Sequence, residues 1–179
     1  QLGTPVADVE MQDGRVTAVV TSDGRVSTPV AVAAAGPWSK EFLLKIGVEV
    51  PLQTVRHQVI SLRRPEDRVP EHPVLGDIVH SLSARPESGN LTLIGVGEGE
   101  QAHPDRYDHG VDMATVEDVA AKLASRMPGM SDAVFRGGWS GLFTTTPDWH
   151  PILDQVEGVE GLYCAVGFSS HGFKLSPMV

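Results

Sequence analysis

The sequence predicts an α+β (mixed α/β) fold in which a mixed or antiparallel sheet is flanked by helices. Three observations predict it. Hairpin signals open the chain, two apolar runs end at glycines (30–35 and 161–166), and one strongly amphipathic stretch, 114–127, lies among strand-like segments. With 179 residues and 41% hydrophobic content, the chain can bury one sizeable core or two small ones.

Two hairpins are predicted at the start of the chain. Strand-like residues 6–11, 15–21 and 25–27 are separated by the dipeptides Asp13-Gly14 and Asp23-Gly24. Asp-Gly between β-branched runs is a strong hairpin signal because glycine adopts positive φ without steric cost. The run 30–35 lacks polar alternation, so we expect a strand buried on both faces.

A first helix is predicted between Pro37 and Gly47, because Phe42, Leu43 and Ile46 fall at helical spacing and the two flanking residues suit its start and end. Further strands are predicted at 50–62, 77–82 and 91–96. A turn at 85–90 separates the last two, and a polar surface loop is predicted at 97–110.

The clearest helix is predicted at 114–127. Its apolar positions, which include Val116, Val119 and Leu123, recur every three or four residues opposite charged ones. Strands and turns are predicted from 135 to 166. They lead into a second glycine-containing segment and the beginning of a last helix.

Composition excludes several classes of protein. A formal net charge of −9 argues against a nucleic-acid partner, which would need a basic surface. No apolar run reaches the roughly 20 residues that span a bilayer, so we expect no membrane partner. Cys164 is the single cysteine and lies in an apolar run, so a buried, inert thiol and a cytoplasmic location are expected. Both ends, at Gln1 and after Lys174, are expected to be cut from a longer chain.

Two junctions between a strand and a glycine are the candidate binding segments, 33–39 and 166–174. Small residues at a strand end let a ligand approach the backbone, and the following helix N-terminus offers N–H groups to an anion or an electron-rich ring. On spacing alone, ordinary packed α/β connections are as compatible with these segments. Neither matches a dinucleotide-binding or P-loop fingerprint.

Other constellations give no competing site. The seven histidines have no metal-ligand spacing, so no metal is expected. Ser169 and Ser170 beside His171 lack the geometry of a catalytic triad, and no G-x-S-x-G elbow exists, which argues against a hydrolase. The three tryptophans, Trp38, Trp139 and Trp149, could line an aromatic pocket. Core packing is the simpler interpretation for at least two of them.

Six segments, taken in order, resemble the FAD-dependent amino-acid oxidoreductase family that includes sarcosine oxidase, glycine oxidase and dimethylglycine dehydrogenase. The resemblance is spread over nearly the whole chain, at residues 23–25, 34–39, 51–58, 141–152, 161–163 and 167–174. It implies that residues 1–48 are the late part of an FAD-binding domain, 49–138 the substrate-binding domain, and 139–179 a return to the FAD-binding domain. The dinucleotide-binding half would then be a missing N-terminal partner segment.

The resemblance also implies roles for particular residues. Lys174 would bind the carboxylate of a small amino-acid or amine substrate. Lys174 and His171 are the candidate catalytic residues. Arg56 and Arg85 are alternative carboxylate partners. The residues implied to contact FAD are Ala35, Gly36, Trp38, Gly141, Thr146, Pro147, Asp148, Gly167, Ser169, Ser170, His171, Gly172, Phe173 and Lys174.

Three departures from the family pattern refine the expectation. Gly141 stands where some relatives attach FAD through a cysteine, so noncovalent binding of FAD is expected. This piece of the chain alone is not expected to retain the cofactor. Ser170 replaces a family glycine. No lysine occurs at 91–94, where several oxidases have one near the flavin. This departure favours a dehydrogenase over an oxidase.

The sequence therefore predicts part of an enzyme that oxidises the C–N bond of a small amino acid or N-methylated amine, such as sarcosine, by hydride transfer to FAD. The alternative is a catalytically incomplete fragment, or a non-catalytic small-molecule-binding domain of the same fold.

Overall fold

A computed structural model describes residues 2–179, apart from the side chain of Glu98. The chain forms two compact units: unit 1 consists of residues up to Thr54 and from Phe143 onward, and unit 2 of Val55–Leu142. The sequence predicts domain boundaries after residue 48 and after residue 138. The assignment of FAD binding and substrate binding to these domains stays a prediction.

Eleven strands and three α-helices are seen in the described part of the chain. The strands are β1 (Val6–Gln12), β2 (Arg15–Thr21), β3 (Gly24–Ser27), β4 (Ala31–Ala33), β5 (Gln53–Arg63), β6 (Leu75–Asp77), β7 (Leu82–Glu87), β8 (Leu91–Gln101), β9 (Val134–Thr145), β10 (Ile152–Gln155) and β11 (Leu162–Val166). The helices are α1 (Ser39–Lys45), α2 (Met113–Arg126) and α3 (Gly172–Leu175), and short 3₁₀ turns span Gly36–Trp38, Pro128–Asp132 and Ser176–Met178.

The opening meander of unit 1 confirms the predicted hairpins, in the antiparallel order β1-β2-β3. Its first turn uses positive φ at Asp13 (50°) and Gly14 (76°), as the Asp-Gly signal predicts. The second turn differs, because Gly24 pairs with Thr21 and the loop itself is Ser22-Asp23.

A second sheet of unit 1 has the order β10-β11-β4, with β11 antiparallel to β10 and parallel to β4. Its core joins Leu43 of α1 to Leu52, Cys164 and Val166. The expectation that 30–35 is buried on both faces is wrong. β4 is an edge strand among the described strands, Val32 is 61% exposed, and Ala33 is the member of the strand that is buried.

Unit 2 is built on a five-stranded sheet in the order β6-β7-β8-β5-β9. Even-numbered apolar residues of β5, β7 and β8 point to one face, where they pack against the apolar side of α2. That core contains Ile60, Leu62, Leu82, Ala84, Ile94, Val116, Val119 and Leu123. The amphipathic helix was therefore predicted within one residue at each end.

Two segments of unit 2 differ from prediction. Residues 77–82 do not form a strand: Asp77 ends β6 and residues 78–81 form a turn, in which the Asp77 carboxylate accepts the N–H groups of Val79 and His80. The predicted polar loop 97–110 begins as strand, because β8 continues through a glycine-containing bulge to Gln101. No helix within residues 2–179 is long and apolar enough to cross a membrane.

Candidate functional site

The candidate site lies where β4 and β11 end in unit 1. The two strands pair in parallel, with Tyr163 opposite Val32 and Cys164 opposite Ala33, so their carboxyl ends meet at one edge of the sheet. In open α/β sheets, ligands bind in the crevice outside the carboxyl ends of strands. The topology thus brings the two glycine junctions of the sequence to one place.

The first junction is open. Ala35 is exposed, and Gly36 has φ of 53° with no atom within 4 Å of where a Cβ would lie. Pro37 begins the turn that leads into α1, as expected from its fixed φ. Trp38 is 48% exposed, Trp139 49% and Trp149 41%, so the expectation that at least two of the tryptophans pack in the core is wrong.

The second junction is tightly packed at its start. Gly167 is buried at φ of 67°, and a Cβ there would lie 2.5 Å from Thr146 Cγ2 and 2.9 Å from Leu52 Cδ2. A side chain is therefore excluded by both conformation and space. Ser169 and Ser170 follow with positive φ of 47° and 71°, so the chain turns sharply before α3.

Hydrogen bonds tie the second junction to the threonine segment at the end of β9. Ser169 N–H donates to the Thr144 carbonyl at 3.0 Å, and Thr146 N–H donates to Ser169 Oγ at 3.3 Å. Ser169 is 1% exposed, so these bonds are shielded from water. Two motifs that lie more than 20 residues apart in sequence are thereby held as one structure.

The start of β5 extends this network to the first junction. The Thr54 hydroxyl donates to the Pro37 carbonyl at 3.1 Å, and the Thr145 hydroxyl donates to the Gln53 carbonyl at 3.4 Å. Sequence reasoning missed Thr54 and Thr145 as positioning residues. The three consecutive threonines at 144–146 were the available signal, but their partners are too distant in sequence to identify without the fold.

Pro147 and Asp148 form an exposed turn directly after Thr146, which is buried. The His150 N–H donates to Asp148 Oδ1 at 3.1 Å, and Thr146 Oγ1 donates to the His150 carbonyl at 2.7 Å. The His150 N–H and the Thr146 side chain lower the pKa of Asp148, whose carboxylate is exposed. In this unit, the Asp148 carboxylate stabilises the turn in which it lies.

The end of the chain presents its side chains outward. Phe173 is 96% exposed, Lys174 is exposed, and His171 is partly buried at the start of α3. Because α3 has four residues, it contributes little macrodipole, and any attraction for negative charge there must come from local N–H groups and Lys174.

Three of the residues predicted from sequence belong to unit 2 and not to unit 1. Gly141 lies in the part of β9 that belongs to unit 2. Arg56 is also in unit 2, 4% exposed, and donates to Glu100 and Asp112 at 2.7 Å each. The alternative that Arg56 binds a substrate carboxylate is wrong, because this guanidinium is already neutralised by two carboxylates. Arg85 pairs with Glu87 at 2.9 Å.

Ser170→Gly is expected to stabilise the chain by about 0.5–1 kcal/mol. A non-glycine residue in the left-handed region costs roughly 1–2 kcal/mol, and the greater freedom of glycine in the unfolded chain offsets part of that gain. Urea unfolding of both chains measures the difference. Ser170→Ala keeps the unfavourable φ and serves as the control, so equal stability of the glycine and alanine variants would contradict the prediction.

No group of three or more His, Cys, Asp or Glu among residues 2–179 could hold a metal ion. Burial raises the pKa of the Cys164 thiol, which keeps it protonated and unreactive at neutral pH.

An α/β unit with two glycine junctions at one sheet edge, accompanied by a second unit whose sheet is covered by a helix, agrees with the resemblance to FAD-dependent oxidoreductases. The chain belongs to the FAD dependent oxidoreductase family, whose sequence profile matches residues 1–179.

Individual relatives agree with this assignment. The chain is 30% identical to peroxisomal sarcosine oxidase of Homo sapiens over all of this chain and 50% of that protein. It is 29% identical to glycine oxidase of Pseudomonas putida, over 93% of this chain and 43% of the relative. The chain thus spans about half the length of the curated relatives it matches.

Solved structures show the same fold. L-proline dehydrogenase from P. horikoshii superposes with a TM-score of 0.79 at 22% identity, over 97% of this chain and 46% of that one. Glycine oxidase from Geobacillus kaustophilus gives a TM-score of 0.77 at 24% identity, over 98% and 45%. The mixed α/β fold predicted from the sequence is confirmed.

Two buried hydroxyls beside the glycine junctions of unit 1 are compatible with a bound cofactor at this edge. The side-chain hydroxyls of Ser39 and Thr144 are buried with no hydrogen-bond partner among the described residues. A buried polar group left unpaired costs roughly 1–3 kcal/mol, so each such group calls for a partner that completes it. Ser39 follows the first junction and Thr144 is bonded to the second.

Proposed function

We propose that the chain is part of an enzyme that oxidises the C–N bond of a small amino acid or N-methylated amine, such as sarcosine, by hydride transfer to noncovalently bound FAD. FAD, when bound, would supply the hydride-accepting chemistry, and the protein would orient the substrate. The observation that carries this proposal is the hydrogen-bonded cluster of Ser169 with Thr144 and Thr146, which holds the two late motifs together at the edge where β4 and β11 end.

Each junction has a role in this proposal. Ala35, Gly36 and Trp38 would contact the cofactor, as would Thr146, Pro147 and Asp148. Residues 167–174 would hold the flavin ring, and their backbone N–H groups would stabilise negative charge there. His171 would contact the ring, and Lys174 would bind the substrate carboxylate as a point charge.

An uncovered apolar region supports the proposal that a dinucleotide-binding segment completes unit 1. A cavity of about 800 Å³ opens beside β4, lined mainly by apolar residues that include Val6, Val9, Ala31, Ala33 and Phe42. Val30 and Val32 are exposed next to it. Contiguous exposed apolar surface of this kind marks an interaction site, and the half of the relatives' length that this chain does not span is the natural occupant.

The same region favours the second candidate function, a catalytically incomplete piece that does not retain FAD. Adding FAD to this chain and recording flavin fluorescence separates the two: negligible quenching supports incompleteness. Purification of the full-length protein without flavin, or absorbance that no N-methyl, D- or L-amino acid bleaches, would overturn the oxidoreductase proposal itself.

Lys174→Met in the full-length enzyme is expected to raise KM for sarcosine by roughly tenfold to a hundredfold, because a hydrogen bond to a charged group contributes about 1.5–3 kcal/mol. The value of kcat should change much less, since the carboxylate does not react. Steady-state kinetics measures both. Lys122→Met, on the surface of α2, is the matched control, and an equal KM in the two variants would remove Lys174 from the substrate site.

A further inference from the structure

Trp149 has a backbone conformation that bulky residues rarely adopt. Its φ is 64°, in the left-handed region, where the Cβ of an L-residue is crowded by its own backbone. Glycine and asparagine are the usual occupants of such positions, because they tolerate this crowding. A tryptophan there is strained, and strained residues cluster at active sites and ligand sites.

Hairpin geometry does not account for the conformation of Trp149. Six non-glycine residues in the described part of the chain have positive φ. Three of them lie in tight turns between paired strands, where positive φ is part of the turn itself: Asp13, Ser81 and Asn90. Trp149 instead lies between β9 and β10, which belong to different sheets. The remaining two, Ser169 and Ser170, lie in the second junction of the candidate site.

Thr146 holds Trp149 in this conformation. The Trp149 N–H donates to the Thr146 carbonyl at 3.2 Å, and the Thr146 hydroxyl donates to the His150 carbonyl at 2.7 Å. Thr146 is 5% exposed, and its own N–H donates to Ser169 Oγ. The chain is thus fixed before and after the Trp149 Cα by one buried residue of the candidate site. Strained residues persist where their surroundings constrain them in this way.

The Trp149 side chain remains open to a ligand. The residue is 41% exposed, and its indole N–H donates to no group among the residues that the structure describes. An indole N–H is a donor only, and it usually finds an acceptor when the ring is buried. Packing within unit 1 therefore leaves part of the ring and its single donor available.

The chemistry of the indole favours an aromatic ligand over an aliphatic one. Aromatic rings pack together in offset-stacked or edge-to-face arrangements, and the indole N–H needs an acceptor atom. The isoalloxazine of FAD is a planar ring system with carbonyl oxygens and ring nitrogens as acceptors. A small amino acid or N-methylated amine has no aromatic plane. The cofactor, and not the substrate, is the ligand that suits Trp149.

We propose that the indole of Trp149 contacts the isoalloxazine ring of bound FAD. The identity of the cofactor rests on the proposed function, whereas the strained turn is a property of unit 1, which contains Trp149, Thr146 and Ser169. The contact is noncovalent, and no step of the oxidation is assigned to Trp149.

The first test measures the Kd of FAD for the full-length apoprotein. Trp149→Ala removes the ring and is expected to raise Kd about tenfold, the effect of losing one aromatic contact, whereas Trp149→Phe keeps a ring and should stay within about threefold of wild type. Trp139→Ala is the matched control, because Trp139 is 49% exposed but has no positive φ. An unchanged Kd in Trp149→Ala, or an equal rise in Trp139→Ala, would overturn the proposal.

The second test measures the fluorescence of the bound flavin, because an indole in contact with an isoalloxazine quenches its emission by electron transfer. The bound flavin should be brighter in Trp149→Phe than in wild type and unchanged in Trp139→Phe. Equal emission in all three proteins contradicts the contact. So does a Trp149→Ala variant that loses stability in urea but keeps the wild-type Kd, since the indole would then pack on protein alone.

The outcomes separate this inference from the proposed function. Weaker FAD binding and brighter flavin in the Trp149 variants support the contact even if no amine reduces the flavin, in which case the proposed oxidation alone fails. Reduction by sarcosine with unchanged Kd and emission overturns the contact and leaves the function standing. A full-length wild-type protein that binds no FAD overturns both.

Discussion

Gly161→Ala is expected to lower the free energy of unfolding by about 3–4 kcal/mol. Gly161 has φ of 84°, and a Cβ there would lie 2.1 Å from the Pro29 carbonyl oxygen. The left-handed backbone costs a non-glycine residue roughly 1–2 kcal/mol, and overpacking typically adds 1–3 kcal/mol. The clash cannot be relieved by a rotamer change, because the atom it meets belongs to the main chain.

The position of Gly161 explains why a backbone shift there is costly. Its carbonyl accepts a hydrogen bond from the Ala31 N–H at 2.8 Å. This bond is at the start of the parallel pairing of β4 with β11. Gly158→Ala is the control, since Gly158 also has positive φ (76°) but an open environment. Urea unfolding should show Gly158→Ala losing about 1 kcal/mol. If the two variants lose the same amount, the close approach to Pro29 is unimportant.

Arg56→Met is expected to destabilise the chain by about 3 kcal/mol. The guanidinium is 4% exposed and donates to Glu100, Asp112, and the carbonyls of Asp108 and Gly110. Breaking a buried ion pair costs roughly 3–5 kcal/mol, and the lower value applies because both carboxylates reach solvent and can be hydrated. Loss of the two carbonyl contacts would also loosen residues 108–112 before α2.

Arg85→Met provides the comparison for Arg56→Met. Its side chain is 56% exposed and bonds one carboxylate, so less than 1 kcal/mol is expected. Urea unfolding at neutral pH measures both variants. Similar losses in the two would show that the buried position of Arg56 adds nothing.

The pH dependence gives an independent check on Arg56. Its hydrogen bond lowers the pKa of Asp112 below the unfolded value of about 4. A carboxylate with a lowered pKa stabilises the fold above the unfolded pKa, and that stabilisation is lost as the pH falls through the folded pKa. The wild-type chain should therefore lose this contribution below about pH 4, and Arg56→Met should show a shallower acid dependence.

Local signals predicted the parts of the fold that depend on neighbours in sequence. The Asp13-Gly14 hairpin and α2 are confirmed because turn chemistry and apolar spacing act over a few residues. The prediction that β4 is buried on both faces was wrong, because an apolar run has the same sequence pattern in an edge strand as in a central strand. The strand predicted at 77–82 was wrong because Asp77 bonds two backbone N–H groups and turns the chain, leaving Ile78 94% exposed.

Only the segments of the candidate site could be predicted from the sequence. Motif resemblance identified the segments around Gly36, Thr146 and Gly167, but neither the Ser169 network nor its extension to Thr54 could be read from sequence. Those bonds join residues that are distant along the chain. The carboxylate partners of Arg56 were likewise hidden, because a single arginine in a strand gives no sign of what surrounds it. The roles proposed for His171 and Lys174 stay predictions.

The one-sided pairing of β4 has a consequence for handling the chain in solution. Among the described strands, β4 is bonded to β11 alone, so a row of backbone N–H and C=O groups faces outward. Val30 and Val32 flank it with exposed β-branched side chains, and residues 29–35 carry no charge. Such an edge is a template for strand addition by another chain. We expect concentration-dependent self-association of the isolated chain, and a charged residue at position 32 should suppress it.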